Sequence, residues 1–197
     1  MRMKTCVVAA FAAVVLVAAP ARADWLFTPF VGGNIGGDTI DSQPNFGLSA
    51  AWMGAGRIGF EFDAAWAPDF FDTGDDDPFL LVTDSSVATY MANVVFGAPV
   101  GGTTGKGVRP YGSIGIGAIM SRVESDLGLV DIKETSFGWN AGGGVMGFMS
   151  DNVGLRGDIR YLGSAQKDFQ DSPITENLER FGFWRLTGGI VIRFGGQ

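Results

Sequence analysis

The sequence predicts an all-β fold, an eight-stranded antiparallel up-and-down transmembrane β-barrel preceded by a cleaved signal peptide. Three observations support this prediction: an N-terminal export signal, apolar residues at every second position along much of the chain, and connections that alternate between short and long. Glycine contributes 31 of the 197 residues. This content suits short strands joined by turns better than it suits helices.

Residues 1–23 have the three parts of a secretory signal peptide. Arg2 and Lys4 are basic, an apolar run extends over 6–19, and Ala21-Arg22-Ala23 is a small-x-small cleavage site. An uncleaved membrane anchor is the alternative, but the run is short for a helical span and is followed by Pro20. We therefore expect a mature domain over residues 24–197. It lacks the single cysteine, Cys6, and so has no disulfide.

The chain is acidic, with 14 basic and 21 acidic residues and a formal net charge of −7. Removal of the signal peptide makes the charge more negative. Such a surface is unsuited to nucleic acid, because carboxylates and phosphates repel each other. After the signal, no stretch reaches about 18 uncharged apolar residues, so any membrane crossing must be made by strands.

The segment from Arg57 to Ala67 shows the alternation most clearly. Apolar residues occupy one face, namely Ile58, Phe60, Phe62, Ala64 and Trp66. Small and charged residues occupy the other, namely Arg57, Gly59, Glu61, Asp63 and Ala65. Because side chains alternate across a strand, the first face suits lipid hydrocarbon and the second suits a polar interior.

Eight segments of this kind are predicted, and the connections between them alternate in length. The segments cover about 25–35, 45–53, 57–67, 86–97, 108–121, 135–149, 153–163 and 181–194. The short connections lie at 54–56, 98–107 and 150–152, and the long ones at 36–44, 68–85, 122–134 and 164–180. The long connections carry 16 of the 21 acidic residues. This asymmetry, with an even strand count, predicts periplasmic chain ends and acidic loops that face outward.

Aromatic residues sort to two levels of the predicted strands, on their apolar faces. Trp66, Tyr90, Trp139, Tyr161 and Trp184 fall at the outer ends, and Trp25, Trp52, Phe96 and Phe194 fall at the inner ends. Aromatic rings collect at both membrane–water interfaces. The pattern favours a membrane barrel over a sandwich, whose core aromatics need no such sorting.

A set of charged residues is predicted to point into the lumen and to pair there. Its members are Arg57, Glu61, Asp63, Arg109, Arg156, Asp158, Arg160, Arg185 and Arg193. Pairing is expected because an unpaired buried charge is costly. A polar network that fills the barrel is favoured over an ion-conducting path, since eight strands leave little more than side-chain space.

The sequence supplies little for catalysis, cofactors or metals. It contains no histidine, the commonest general base, and we predict no catalytic residue and no cofactor. The segment 101–107 resembles a phosphate-binding loop only superficially, because Lys106 is followed by glycine instead of Ser or Thr. Asp72, Asp75, Asp76 and Asp77 form a weak cation candidate, although a solvated acidic loop is the favoured interpretation.

Four segments resemble strands of OmpA/OmpX-like outer-membrane β-barrel domains. Arg109-Pro110-Tyr111-Gly112-Ser113-Ile114-Gly115-Ile116-Gly117 resembles their fifth strand, and Thr28-Pro29-Phe30-Val31-Gly32-Gly33 resembles their first. Ala141-Gly142-Gly143-Gly144-Val145 with 152–161 is similar to the sixth and seventh. The resemblance covers the barrel domain and implies a bacterial outer-membrane location. Unlike many members, this chain continues past Phe194 with Gly195-Gly196-Gln197. We expect no peptidoglycan-binding domain after the barrel.

We therefore expect a monomeric barrel with a structural or surface-binding, adhesion-like role exerted through the acidic loops. Its expected partners are outer-membrane lipid, lipopolysaccharide and the barrel assembly machinery. Enzymes among outer-membrane barrels use a histidine base, which this chain lacks. A narrow porin-like channel is the first alternative. A soluble periplasmic or secreted β-barrel binder is the second, and it requires apolar residues inside.

Overall fold

The computed structural model describes residues 23–37, 42–68, 82–101, 105–125, 131–164 and 182–195, and these form eight β-strands. The strands are β1 Ala23–Ile35, β2 Gln43–Gly54, β3 Ile58–Pro68, β4 Val82–Gly97, β5 Gly107–Ser125, β6 Asp131–Phe148, β7 Val153–Ser164 and β8 Gly182–Phe194. Each strand pairs antiparallel with the next, and β8 pairs with β1, so the sheet closes into a barrel. The predicted fold class is confirmed.

The two faces of the barrel wall follow the alternation in the sequence. On β3, Ile58, Phe60 and Phe62 are 57%, 44% and 54% exposed, whereas Glu61 and Asp63 between and beyond them are 3% and 2% exposed. The predicted outer faces of β7 and β8 are likewise apolar and turned outward. An apolar outer wall is the inverse of a soluble barrel and suits lipid.

Three strands extend four residues further toward the long connections than the sequence predicts. β4 begins at residue 82 instead of 86, β5 ends at 125 instead of 121, and β6 begins at 131 instead of 135. Cross-strand pairing continues there, with Val82 opposite Ser125 and Glu124 opposite Asp131. The predicted strands end where the apolar alternation ends. The hydrogen bonds between strands continue further, because they need only backbone groups on the neighbouring strand and no apolar side chains.

The connection between β2 and β3 is a tight turn. Ala55 and Gly56 have φ values of 47° and 66°, and the Arg57 amide donates to the Gly54 carbonyl at 3.0 Å. Positive φ at the two central residues of this turn, which extends from Gly54 to Arg57, matches the twist of the flanking strands. Arg57 is therefore part of the turn and is exposed, so its predicted place in the lumen is wrong. The alternation pattern places Arg57 on the polar face, but it does not show that β3 begins only at Ile58.

The interior of the barrel has three levels between the end with the short turns, here the turn end, and the end with the long connections, the loop end. The turn-end cluster consists of Leu26, Ala51, Met53, Val95, Tyr111, Met146, Phe148 and Val191. The loop-end cluster consists of Ala67, Val87, Met91, Ile119, Leu162 and Phe183. Most of the buried charged residues lie between the two clusters, whereas Arg109 and Arg193 lie against Phe148 of the turn-end cluster. The interior is thus more apolar than the sequence pattern predicts.

Candidate functional site

The central charged layer consists of Glu61, Arg156, Asp158 and Arg160. Glu61 lies on β3, and the other three occupy successive inward positions on β7. These strands are on opposite sides of the barrel, because three strands separate them in either direction. Side chains from both walls therefore meet across the lumen, and all four are at most 6% exposed.

The four residues form a closed ring of ion pairs. Glu61 contacts Arg156 at 2.7 Å through Oε2 and Arg160 at 2.6 Å through Oε1. Asp158 contacts Arg160 at 2.7 Å and Arg156 at 3.3 Å. Each carboxylate thus touches both guanidinium groups. Because the two positive and two negative charges balance, the ring compensates much of the cost of burying them.

Neutral side chains complete the hydrogen bonding of the ring. The Tyr111 hydroxyl donates to Asp158 and accepts from Arg156 Nε at 2.6 Å. Arg156 Nη1 donates to Ser49 at 3.0 Å. On the other side, Asn93 donates to Glu61 at 3.0 Å and accepts from Asn140 at 2.7 Å. Neutral side chains from four strands, β2, β4, β5 and β6, therefore support the charged layer.

Glycines on β6 make room for these large side chains. A Cβ at Gly142 would lie 2.8 Å from Arg160 Cγ, and one at Gly144 would lie 2.7 Å from the Tyr111 hydroxyl oxygen. The strand backbone would also be contacted closely at both positions. The glycine run of β6 thus provides the space into which Arg160 and Tyr111 extend.

The remaining predicted lumen charges lie on either side of the layer. Toward the loop end, Arg185 pairs with Asp63 at 2.7 Å, and its guanidinium lies 5.3 Å from the ring centre of Phe30. Toward the turn end, Arg109 pairs with Asp24 at 3.1 Å. Arg193 donates there to the Gly105 carbonyl at 3.1 Å. Both Arg109 and Arg193 stack on Phe148, at 5.2 Å and 4.3 Å from its centre.

The predicted aromatic residues all lie on the outer wall, exposed or half-buried. At the turn end, Trp25 is opposite both Trp52 and Phe194. Toward the loop end, the Tyr161 ring lies 5.5 Å from Trp139 and 5.3 Å from Trp184, centre to centre. Tyr90 and Trp139 lie mid-strand rather than at strand ends, because β4 and β6 are longer than predicted.

The cation candidates Asp72, Asp75, Asp76 and Asp77 lie outside the described residues. Within the described ranges, no group of three or more acidic, histidine or cysteine side chains is arranged to hold a metal ion. In the same ranges, no helix has the length and apolarity to cross a membrane.

A closed barrel with an even number of antiparallel strands, an apolar wall and paired charges inside has the architecture of a bacterial outer-membrane β-barrel. The model of the family described as "Outer membrane protein beta-barrel domain" matches residues 9–180. The chain belongs to this family, and the predicted OmpA/OmpX-like resemblance is confirmed. Membership supports a location in the bacterial outer membrane.

Several solved structures share the fold. The N-terminal β-barrel domain of Pseudomonas aeruginosa OprF is 14% identical, with a TM-score of 0.54, and the match covers 87% of this chain and 97% of that chain. Neisserial surface protein A is 17% identical, with a TM-score of 0.57 and coverages of 87% and 99%.

Ail, the attachment invasion locus protein of Yersinia pestis, was solved in complex with the heparin analogue sucrose octasulfate. It is 16% identical, with a TM-score of 0.51 and coverages of 88% and 99%. At these identities the likeness shows the fold alone. No curated protein matches the chain.

Proposed function

We propose that residues 24–197, after removal of residues 1–23 as a signal peptide, form a monomeric outer-membrane barrel with a structural or surface-binding role. Its lumen is filled and does not conduct. The chain ends and short turns face the periplasm, and the acidic loops face outward. No catalytic residue and no cofactor are assigned, and the barrel assembly machinery is the expected partner in folding.

The filling of the lumen carries this proposal. An ion that leaves the central charged layer toward the turn end meets Leu26, Met53 and Met146, which are 2%, 0% and 0% exposed. A bare ion among apolar side chains loses its hydration at a cost of several kcal/mol. Two cavities within the lumen measure about 10 Å³ each, close to the size of one water molecule.

The distribution of charge supports a role for the loops. The connections at the loop end, over 36–42, 69–81, 126–130 and 165–181, contain 12 acidic and two basic residues. Bare polyanions such as the heparin analogue in the Ail complex suit this surface poorly. Divalent cations can bridge loop carboxylates to the phosphates of lipopolysaccharide, which makes cation-dependent contact with lipopolysaccharide the expected mode of surface binding.

Planar bilayer recordings test the filled lumen. The folded protein is reconstituted beside a known porin as a positive control, and its orientation is checked by protease digestion. We expect no steady conductance above that of the empty bilayer. Steady single-channel currents from the unaltered protein would establish the narrow-channel alternative instead.

A loop variant and a charge variant together test the surface role. One variant lacks residues 70–81, which end before β4 begins, and a second, matched variant keeps the full length with Asp72, Asp75, Asp76 and Asp77 changed to Asn. We expect both to fold and to lose Mg²⁺-dependent binding to lipopolysaccharide vesicles, because the carboxylates are the bridging groups. Binding that survives in both variants, or that EDTA leaves unchanged in the parent, would contradict the role of the acidic loops.

A further inference from the structure

Two cavities lie inside the barrel, one at the central charged layer and one on its loop-end side. The first is lined by Thr28, Asp63, Thr187 and the Arg156, Asp158 and Arg160 side chains of the layer. Residues that line the second include Asn34, Asn45, Thr89, Phe183 and Arg185. Each has a volume of about 10 Å³, about that of one water-sized sphere.

Two residues that line the first cavity each carry a buried polar atom that finds no hydrogen-bond partner among the described residues. These are the Thr28 hydroxyl and Arg160 Nη1. Thr28 is 0% exposed and Arg160 is 1% exposed. The other two nitrogens of Arg160 are engaged, because Nε donates to Asp158 at 2.7 Å and Nη2 donates to Glu61 at 2.6 Å.

The second cavity repeats this arrangement. Asn45 Oδ1 and Arg185 Nε have no hydrogen-bond partner within the described ranges, and both residues are at most 2% exposed. The Asn45 amide nitrogen already donates to Asn34 at 3.1 Å, and Arg185 Nη2 already donates to Asp63 at 2.7 Å. Each cavity is therefore lined by an arginine with one unsatisfied N–H and by a second residue with one unsatisfied oxygen.

We propose that each cavity is a built binding site for a single water molecule. A water accepts a hydrogen bond from the arginine and donates one to the oxygen, so it satisfies both groups at once. The first water has the Asp63 and Asp158 carboxylates as neighbours for its second hydrogen, and the second water has Thr89. The volume leaves no room for a larger ligand.

The two sites lie at opposite ends of one ion pair. Asp63 lines the first cavity, and its partner Arg185 lines the second. The waters thus extend a polar path from Asn34 and Asn45 toward the central charged layer. The path ends there, because the turn-end cluster beyond it is apolar.

A crystal structure of the folded protein at a resolution that shows ordered water tests the proposal. We expect one full-occupancy water in each cavity, within hydrogen-bond distance of Arg160 Nη1 and Arg185 Nε respectively. Dry cavities, in a map that shows other buried waters, would overturn it. So would a halide at either site, identified by bromide soaking and anomalous scattering.

Two variants separate a built site from incidental hydration. Thr28→Val keeps the side-chain shape and removes the hydroxyl, so the first water should be lost while the second stays. Ser113→Ala is the matched control, because the Ser113 hydroxyl is also buried without a partner among the described residues yet lines neither cavity. Both waters should remain in it. If Thr28→Val does not fold, the map of the parent protein decides alone.

Discussion

The central charged layer and the turn-end cluster fill neighbouring levels of one lumen with opposite chemistry. In the charged layer, each carboxylate contacts both guanidinium groups, so loss of one carboxylate leaves two guanidinium groups with a single anion. In the turn-end cluster, Met53 and Met146 contribute shape and apolar area, and their loss leaves a void. The comparison predicts that loss of a charge from the charged layer lowers the stability of the barrel. Loss of apolar volume from the turn-end cluster should in addition open the lumen to ions.

Removal of a carboxylate from the charged layer should have the largest effect. Glu61→Ala leaves Arg156 and Arg160 with Asp158 as their shared anion, and we expect a loss of about 3–5 kcal/mol in the free energy of unfolding. Urea titration of the barrel in liposomes, followed by tryptophan fluorescence, measures it. Glu61→Gln separates lost charge from lost volume. A loss near zero for both variants would show that the ring does not stabilise the barrel.

Truncation in the turn-end cluster should lower the stability by a similar or smaller amount and should also change a different property. Met53→Ala is expected to cost about 2–5 kcal/mol, depending on how far the cluster collapses. The double variant Met53→Ala with Met146→Ala should also raise bilayer conductance, because it opens the apolar seal. Glu61→Gln should not raise it. Current through Glu61→Gln but not through the methionine variant would reverse the roles of the two levels.

Tyr111 belongs to both levels, since its ring lies in the turn-end cluster and its hydroxyl bonds to the charged layer. Tyr111→Phe keeps the ring and leaves Asp158 and Arg156 each short of one hydrogen bond. We expect a loss of about 1–3 kcal/mol without added conductance. The same titration and recordings apply. Equal losses in Tyr111→Phe and Tyr111→Leu would assign the effect to the hydroxyl alone.

The smallest effect is expected at Arg57. This residue is exposed in the turn between β2 and β3, so Arg57→Ala should change stability by no more than about 0.5 kcal/mol. Arg109→Ala is the matched comparison, because Arg109 is 2% exposed and paired with Asp24. Stability losses of similar size at the two positions would show that burial does not separate them.

The fold follows from the sequence because strand alternation is a local signal. Phe60 next to Glu61 already indicates which face of β3 is apolar and which is polar. Strand ends are less local: β4 and β5 continue because each supplies hydrogen bonds to the other, which a single segment does not reveal. Arg57 shows the same limit, since the φ angles of the turn decide where β3 begins.

The site is less predictable because its contacts cross the barrel. Sequence alternation places Arg109 and Arg156 inside, but their contacts Asp24 and Tyr111 are 85 and 45 residues away in sequence. Inward apolar residues such as Met53 and Met91 also escape prediction, because an apolar side chain carries no sign of which face it occupies. The signal that could have located Asn93 and Ser49 is a single polar residue between apolar neighbours, namely Ala92 and Val94 for Asn93 and Leu48 and Ala50 for Ser49.

The ring between β3 and β7 also has a consequence for how the protein folds. Glu61 and Arg160 are separated by 99 residues, and they meet only across a closed cylinder. An open sheet in lipid would expose these charges without partners, at a high free-energy cost. Closure of the barrel and its insertion into the membrane are therefore coupled, and a partly closed barrel has a high free energy. The ion pairs thus form late in assembly, when the barrel closes. Because their partners are far apart in sequence, they favour slow folding.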